Sequence, residues 1–325
     1  MNRLEKIDNL GVSDAVPHIS AIVLNYNTPG HVRNCIEKLV QQDYPSLSII
    51  IVDNASASAC VTEIKDWLCS FRPDCIIGSV DDVAFQMKDC ATSHGLLAFI
   101  KNDRNDGYGS GNNLGLRLAA DLGADAALIV NPDVLISQVD GVSVLARRLF
   151  DDNKNLVVAP RVLGPDGNDQ SPLRTHTFRD EILMPRGPMR FFVKQSPVYL
   201  IDAPLDCPSV VEEIHGCCQL VSMRFFEQAG FFDEEFFLYC EEATMTVLVQ
   251  RHGGRIVYDP STSVFHNHIV DEKDGPNIGT VRFHESRKLF LRKYSGYPLW
   301  QVWLLQGYYT VVNMFLRSRI RRGLS

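Results

Sequence analysis

Three features of the chain predict an α/β fold built on a mostly parallel sheet flanked by helices. Apolar runs of strand length alternate with helix-periodic segments from Ile19 onward. Two such runs, Ser48 to Asn54 and Ala126 to Asp133, carry an aspartate at their ends, Asp53 and Asp133. Between them lies a Gly/Asn-rich loop, Asn105 to Asn113. In open α/β sheets ligands sit beyond the carboxyl ends of the strands. Carboxylates there can hold a base, a ribose or a metal ion, and glycines let backbone amides approach a phosphate. The order acid, glycine loop, acid therefore suggests a nucleotide site with a divalent ion.

The first unit is explicit. Ile19 to Leu24 reads as a buried strand, and Thr28 with Pro29 offers an N-cap and a first helical residue. Val32, Cys35, Ile36, Leu39 and Val40 recur at helical spacing, and Asp43 to Ser46 turns the chain into the strand ending at Asp53. Ala59 to Leu68 is a second helix, residues 73–95 look like an insertion, and Leu96 to Ile100 is the next strand. After the glycine loop a helix runs to Gly123, followed by the strand toward Asp133 and a helix whose inner face is Val142, Leu145, Ala146 and Leu149. Leu156 to Pro160 is another short strand. From Arg161 to Ser209 periodicity fades, Gly164 to Gly167 signals a turn, and the stretch is expected to be a long, partly mobile crossing of the site. Order resumes with a strand at Gln219 to Met223 and a helix at Ser222 to Gly230. A further helix, Glu241 to His252, is closed by Gly253-Gly254, and two strands follow, Arg255 to Asp259 and Thr262 to His266.

Composition narrows the function classes. Hydrophobic residues make up 45% and charged residues 22% of 325 positions, which are globular values. A formal net charge of −7 argues against a general nucleic-acid binder. The nine cysteines include no Cys-x-x-Cys pair and several lie in apolar patterns, as buried free thiols do. The first residues contain no apolar signal-like stretch, so a reducing cytoplasm is the expected location.

Five segments, in this order, resemble the family 2 glycosyltransferases of the GT-A fold, particularly the rhamnosyltransferase-like branch. They are Ile22 to Thr28, Ile51 to Ser56, Asn105 to Gly115, Asn131-Pro132-Asp133, and Gly230 to Glu242. The resemblance runs from about Ile19 to His268. It implies a Rossmann-like GT-A catalytic domain over 1–270, with a nucleotide-binding half at about 15–160 and an acceptor-side half at about 161–270. Residues 271–325 would be a helical extension.

The resemblance also implies roles. Asp133 matches the second acid of the family's Asp-x-Asp motif, with Asn131 in place of the first, and would ligate Mg²⁺ or Mn²⁺. His266, paired in the alternation with His268, would complete that metal or diphosphate site. Leu24, Asn25, Tyr26, Asp53 and Asn54 would line the nucleoside pocket, and Asn105, Gly107, Gly111 and Asn112 would lie near the donor. Glu242, beside Glu241, matches the catalytic base, Asp233 would order an acceptor-side loop, and His215 to Cys218 would border the acceptor pocket. A further acid common in the family is Thr244 here. The implied reaction is an inverting transfer of a sugar, rhamnose being the leading donor sugar, from a nucleoside diphosphate to a saccharide or lipid-linked saccharide in polysaccharide synthesis. Two other readings stay open on residues alone: a non-catalytic nucleotide-sugar-binding relative, and a nicotinamide-dependent oxidoreductase using the glycine loop.

Residues 297–316 carry no charge, while Gln306, Thr310 and Asn313 form a polar stripe and arginines follow at 317, 319, 321 and 322. An interfacial helix on the inner face of the membrane, or packing on protein, accounts for this pattern, and a spanning helix is the weaker fit.

Overall fold

The structure is a computed structural model and describes residues 16–88, 95–183, 206–267 and 275–322. His268 and the part of the expected crossing at 184–205 lie outside the described residues.

The nucleotide-side half follows the expected alternation: β1 (Ile19–Asn25), α1 (Pro29–Leu39), β2 (Leu47–Asn54), α2 (Ser58–Phe71), β3 (Ile76–Gly78), α3 (Val80–Lys88), β4 (Leu97–Asn102), α4 (Tyr108–Asp121) and β5 (Ala126–Val130). β1 and β2 are apolar runs buried almost throughout, as strands covered on both faces must be. The second half comprises β6 (Val134–Leu135), α5 (Gly141–Phe150), β7 (Asn155–Leu163), α6 (Phe178–Leu183), β8 (Ser209–Val211), β9 (Cys218–Ser222), α7 (Met223–Ala229), α8 (Glu241–Arg251) and β10 (Arg255–His266). Two long helices, α9 (Gly275–Lys293) and α10 (Leu299–Arg321), end the chain.

The strands form one sheet in the order β3-β4-β2-β1-β5-β9-β7-β10-β6, with β8 also on β10. β3, β4, β2, β1 and β5 are mutually parallel, and β9 enters antiparallel between β5 and β7. The chain reaches β4 on one side of β1 and then returns to β5 on the other. That reversal opens the crevice in which such sheets bind ligands, beside the ends of β1 and β5. Asn25 pairs with Asp53 in register, so the carboxyl ends of β1 and β2 lie level.

Four expectations change. Residues 73–95 contain the edge strand β3 and helix α3, rather than an insertion. Ser79 and Asp82 cap α3 reciprocally, through Asp82 N to Ser79 Oγ (3.2 Å) and Ser79 N to Asp82 Oδ2 (3.1 Å). The two strands expected at 255–266 are one, β10, with a register irregularity between Asp259 and Ser263. The crossing after Arg161 is ordered where it is described: Leu173 bridges Glu213 and α6 follows. At α1, Thr28 occupies the N-cap without a side-chain cap bond, because its Oγ1 donates to Asn25 Oδ1 (3.0 Å).

α9 and α10 pack on the domain. Leu291, Val302, Leu305 and Tyr309 form their own small core, with Phe178 and Ile182 of α6 against it. A buried ion pair joins Arg287 of α9 to Glu181 of α6, Nε to Oε1 at 2.7 Å, and Tyr309 donates to the other Glu181 oxygen at 2.9 Å. Two residues of the polar stripe, Gln306 and Asn313, face α9, while Thr310 is exposed. Asn313 is buried between His284 and Glu285, and Gln306 donates to the Lys288 carbonyl. Trp303 (69% exposed) and Phe315 (70%) lie on the outside with Trp300, Leu304, Val311 and Met314. No helix among the described residues is long and apolar enough to cross a membrane.

Candidate active site

At the ends of β1 and β2 the two turns are tied together. Asn25 Nδ2 donates to Asp53 Oδ1 (2.7 Å), and the Ser56 amide donates to Asp53 Oδ2 (3.1 Å). The Asn27 amide donates to Ser56 Oγ, and Asn27 Oδ1 accepts from the Ala57 amide. Asn27 (φ 59°) and Ala55 (φ 60°) adopt the left-handed conformation, which holds both turns tight. Asp53 and Asn25 are fully buried and hydrogen-bonded within this knot. Asp53, expected to contact the nucleoside directly, is fully buried with both carboxylate oxygens accepting inside this knot. Tyr26, just beyond it, is half exposed and Leu24 is partly buried.

Asn54 extends the knot toward the glycine loop, donating to Asn105 Oδ1 (3.0 Å) and to the Gly107 carbonyl (3.1 Å). The loop glycines have a packing reason. Gly107 has φ +111°, and a Cβ there would lie 2.4 Å from the Phe237 carbonyl oxygen. A Cβ on Gly111 would lie 2.6 Å from Leu24 Cδ1, so the bare helix face lets α4 settle on the sheet. Asn112 lies one turn into α4, where its Nδ2 donates to the Tyr108 carbonyl and its buried Oδ1 has no partner among the described residues.

β5 ends at Val130, and Asp133 lies in the tight turn to β6, with the Val134 amide donating to the Asn131 carbonyl. β10 pairs antiparallel with β6, so His266 lies opposite Val134 and beside that turn. His266 Nε2 is 3.5 Å from Asp133 Oδ2, and its Nδ1 donates to Gln170 Oε1 at 2.7 Å. A ring whose Nδ1–H is held by an acceptor presents Nε2 as a lone pair, the form in which imidazole ligates a metal. The ligand atoms of His215, Cys217 and His266 all lie within 4.8 Å of one another. Burial pushes the Cys217 thiol well above its ordinary range, and Cys218, Asp133 and Glu242 add to it. The donor set of one carboxylate and imidazoles fits a divalent cation, with Cys217 as a neutral neighbour. His215 and Cys217 lie at the turn into β9, where the Cys217 amide donates to His215 Nδ1 at 3.2 Å, so no strand alternation announces the pair.

Glu241 and Glu242 open α8, after two successive left-handed residues, Tyr239 (φ 75°) and Cys240 (φ 72°). Both are half-buried residues whose carboxyl groups point inward. Burial, then the neighbouring Glu242, pushes Glu241 up to about 8, and its Oε1 has no partner among the described residues. Burial also raises Glu242, and Oε1 accepts from the Gly216 amide at 3.3 Å. A Cβ on Gly216 would stand 2.8 Å from that oxygen and push the Glu242 carboxyl aside. Gly216 thus joins Glu242 to the His215 and Cys217 side of the metal-ligating group. Tyr108 links the remaining side, donating to Asn131 Oδ1 (3.1 Å). Its phenol is held far above its usual range by burial and then by the charges of Glu241 and Glu242.

Asp233 accepts from Lys293 Nζ (2.6 Å) and Tyr294 hydroxyl (2.7 Å), which ties the 230–236 loop to the end of α9. Thr244 is buried, and its Oγ1 has no partner among the described residues. Sequence reasoning missed a cavity of about 280 Å³ behind Glu242, lined also by Thr175, His176, Glu213, Arg287 and Tyr297. These residues come from five separate stretches of chain, so no local pattern announces them.

No family model matches the chain. A low-salt glycan biosynthesis hexosyltransferase of Haloferax volcanii is 25% identical over 315 residues, covering 93% of this chain and 86% of that protein. An N-acetylglucosaminyl-diphospho-decaprenol L-rhamnosyltransferase of Mycobacterium tuberculosis is 26% identical over 242 residues, covering 67% and 75%. Among solved structures, a mannosyltransferase of Pyrobaculum calidifontis in complex with GDP-Man and Mn²⁺ superposes with a TM-score of 0.54 at 15% identity, covering 93% of this chain and 72% of that one. GalNAc-T7, crystallised with UDP, GalNAc and Mn²⁺, superposes at 0.58 with 12% identity, covering 85% and 48%. The superpositions speak for the fold, and the sequence relatives add the chemistry. Together they support a family 2 glycosyltransferase of the GT-A fold, similar to the rhamnosyltransferase-like branch.

Proposed function

We propose that the protein is an inverting, metal-dependent glycosyltransferase that moves a sugar from a nucleoside diphosphate onto a saccharide acceptor in glycan assembly. The observation that carries the reading is the position of Gly216, which joins the Asp133–His266 pair on one side to the Glu242 carboxyl on the other. Asp133 and His266 would hold Mg²⁺ or Mn²⁺, which when bound would offset the charge gathering on the leaving diphosphate. The wall of Leu24, Tyr26 and Asn54, braced by Asn25 and Asp53, would take the nucleoside. Asn105, Gly107, Gly111 and Asn112 hold the start of α4 beside it, where the helix end favours anionic groups. An acceptor hydroxyl oxygen would bond to the anomeric carbon while giving its proton to the Glu242 carboxylate. The bond from that carbon to the diphosphate oxygen breaks, and its electron pair leaves with the nucleoside diphosphate. Attack opposite the leaving group inverts the anomeric centre. Glu241 would tune the ionisation of Glu242, and Asp233 would keep the acceptor-side loop on α9.

The mycobacterial relative's name supports rhamnose as the transferred sugar and a lipid diphosphate saccharide as the acceptor class. Glu242→Gln tests the base assignment: turnover should fall by about 10²–10⁴-fold with nucleotide binding retained. A variant with wild-type turnover would end that assignment.

A lipid-borne acceptor accords with the outward face of α10. Trp300, Trp303, Leu304, Val311, Met314 and Phe315 are exposed there, and Arg317, Arg319, Arg321 and Arg322 close the helix on a chain of net charge −7. Aromatics with a cationic end suit the interface of an anionic leaflet, and we assign the protein to the inner face of the membrane as a peripheral enzyme. Sedimentation with vesicles containing anionic lipid should capture the wild type, and Trp303→Ser/Phe315→Ser should release it. Equal recovery of both in the supernatant would remove the membrane contact.

A further inference from the structure

The two residues before Glu241 are held in a conformation that their own side chains disfavour. Tyr239 (φ 75°) and Cys240 (φ 72°) are consecutive left-handed residues, and neither is a glycine or an asparagine. Such residues persist only where the surrounding structure over-determines them, and they gather at functional sites. The turn they make sets the start of α8, where Glu241 and Glu242 are the first two helical residues. Cys240 occupies the N-cap without a side-chain cap bond, so the cap itself does not hold the turn.

One face of α9 holds it. Phe283, Ser286 and Phe290 recur at three- and four-residue spacing and share a side of the helix, and Tyr294 follows just past its end. Each meets the 233–240 segment. The Phe283 ring lies edge-on to Tyr239, 6.0 Å between centroids, and Phe290 is buried with Phe236 and Cys240. Tyr294 hydroxyl donates to Asp233. Ser286 is buried, and its Oγ donates to the Leu238 carbonyl at 2.6 Å. That carbonyl shares a rigid peptide plane with the Tyr239 amide, so anchoring it restricts φ of Tyr239. One residue earlier the segment is fixed from the opposite direction, where the Tyr108 amide of α4 donates to the Phe237 carbonyl at 2.8 Å. The strained turn therefore starts from a stretch pinned by α4 and α9 on consecutive carbonyls.

We propose that Ser286 is a positioning residue for the transfer: by holding the Leu238 carbonyl it fixes the left-handed turn, and through the turn it aims the Glu242 carboxyl at the site. The proposal rests on Glu242 as the base in the reading above. Glu242 Oε1 accepts from the Gly216 amide at 3.3 Å, a long hydrogen bond that a small shift of α8 would break. A misplacement of about 1 Å costs on the order of 100-fold in rate. Other bonds of α9 serve α10 instead, as Glu285 does in accepting from Asn313 at 2.8 Å and Arg317 at 3.3 Å. Cutting those should loosen the helix pair and leave the aim of Glu242 intact.

The test uses the full chain with Mn²⁺ and dTDP-rhamnose, UDP-N-acetylgalactosamine and GDP-mannose, read as nucleoside diphosphate released to water or to octyl glucoside. With the donor that is turned over, Ser286→Ala should lower kcat about tenfold or more while donor KM stays within about twofold. Protection from heating by the nucleoside diphosphate should persist. Adding Tyr239→Gly should raise kcat about threefold or more over Ser286→Ala, because glycine takes a positive φ unaided. Glu285→Ala should lower the denaturation midpoint and leave kcat near wild type. Wild-type kcat in Ser286→Ala, no recovery on adding Tyr239→Gly, or an equal loss of kcat in Glu285→Ala would each overturn the role of Ser286. Wild-type turnover in Glu242→Gln, or a wild type that neither turns over a donor nor gains nucleotide protection, would instead overturn the reading beneath it.

Discussion

The sheet and the terminal helix pair bury opposite things. Around α4 the contact is made by absence, with Gly107, Gly111 and Gly115 leaving room for Phe237, Leu24 and Ile22. Around α9 and α10 a small apolar core is joined by buried polar links: Glu181 of α6 with Arg287 and Tyr309, and Asn313 with His284 and Glu285. The outer side of α10 is apolar where an ordinary surface helix would be polar. A glycine contact tolerates little added volume, and a buried ion pair tolerates no loss of a partner. The two halves of the site should therefore fail differently.

The largest stability effect is expected in the helix pair. Glu181→Leu strands the Arg287 charge in the interior and should cost about 3–5 kcal/mol. Arg287 also lines the cavity behind Glu242, so turnover should fall together with stability. Chemical denaturation with two-substrate kinetics reads both, and an unchanged midpoint would mean that the ion pair contributes little. Next comes Gly111→Ala on the sheet side. Its Cβ would meet Leu24 Cδ1 at 2.6 Å, and overpacking of this kind costs about 1–3 kcal/mol. Here the kinetic defect should fall on the donor, if Leu24 lines the nucleoside wall as proposed. A donor KM equal to wild type would break the link between α4 packing and the nucleotide pocket.

The same contrast explains what could be read from the chain. β1, α1 and β2 are local patterns, apolar runs and a 3.6-residue period, and they stand within a residue or two of expectation. Gly253 was legible as a helix end and adopts φ +69° after α8. β3 and α3 were missed although Ser79 and Asp82 spell a capping box, because a three-residue edge strand carries too little periodicity. Asp133, Glu242 and His266 were expected from the resemblance, and the structure places them around the Gly216 turn. The knot that buries Asp53 was not, since it depends on Asn27 and Ser56 meeting across two turns. The polar stripe of α10 was visible, but which side it faces is decided by α9, some 20 to 30 residues away. The cavity of Glu213, His176 and Arg287 depends on contacts across more than 100 residues and has no signature in any window.

On the proposed reading, a nucleoside diphosphate binds at the carboxyl ends of β1, β2 and β5 through a cation held by Asp133. The direct measurement is a thermal-shift panel of dTDP, UDP, GDP and NADH, with and without Mn²⁺, on wild type and Asp133→Asn. A ligand present at about 100 times its Kd adds roughly 2.7 kcal/mol of stability, enough to be read as several degrees. We expect one or more nucleoside diphosphates to protect the wild type only with Mn²⁺, and Asp133→Asn to lose that protection. Protection by NADH alone, or metal-independent protection that survives Asp133→Asn, would contradict the account.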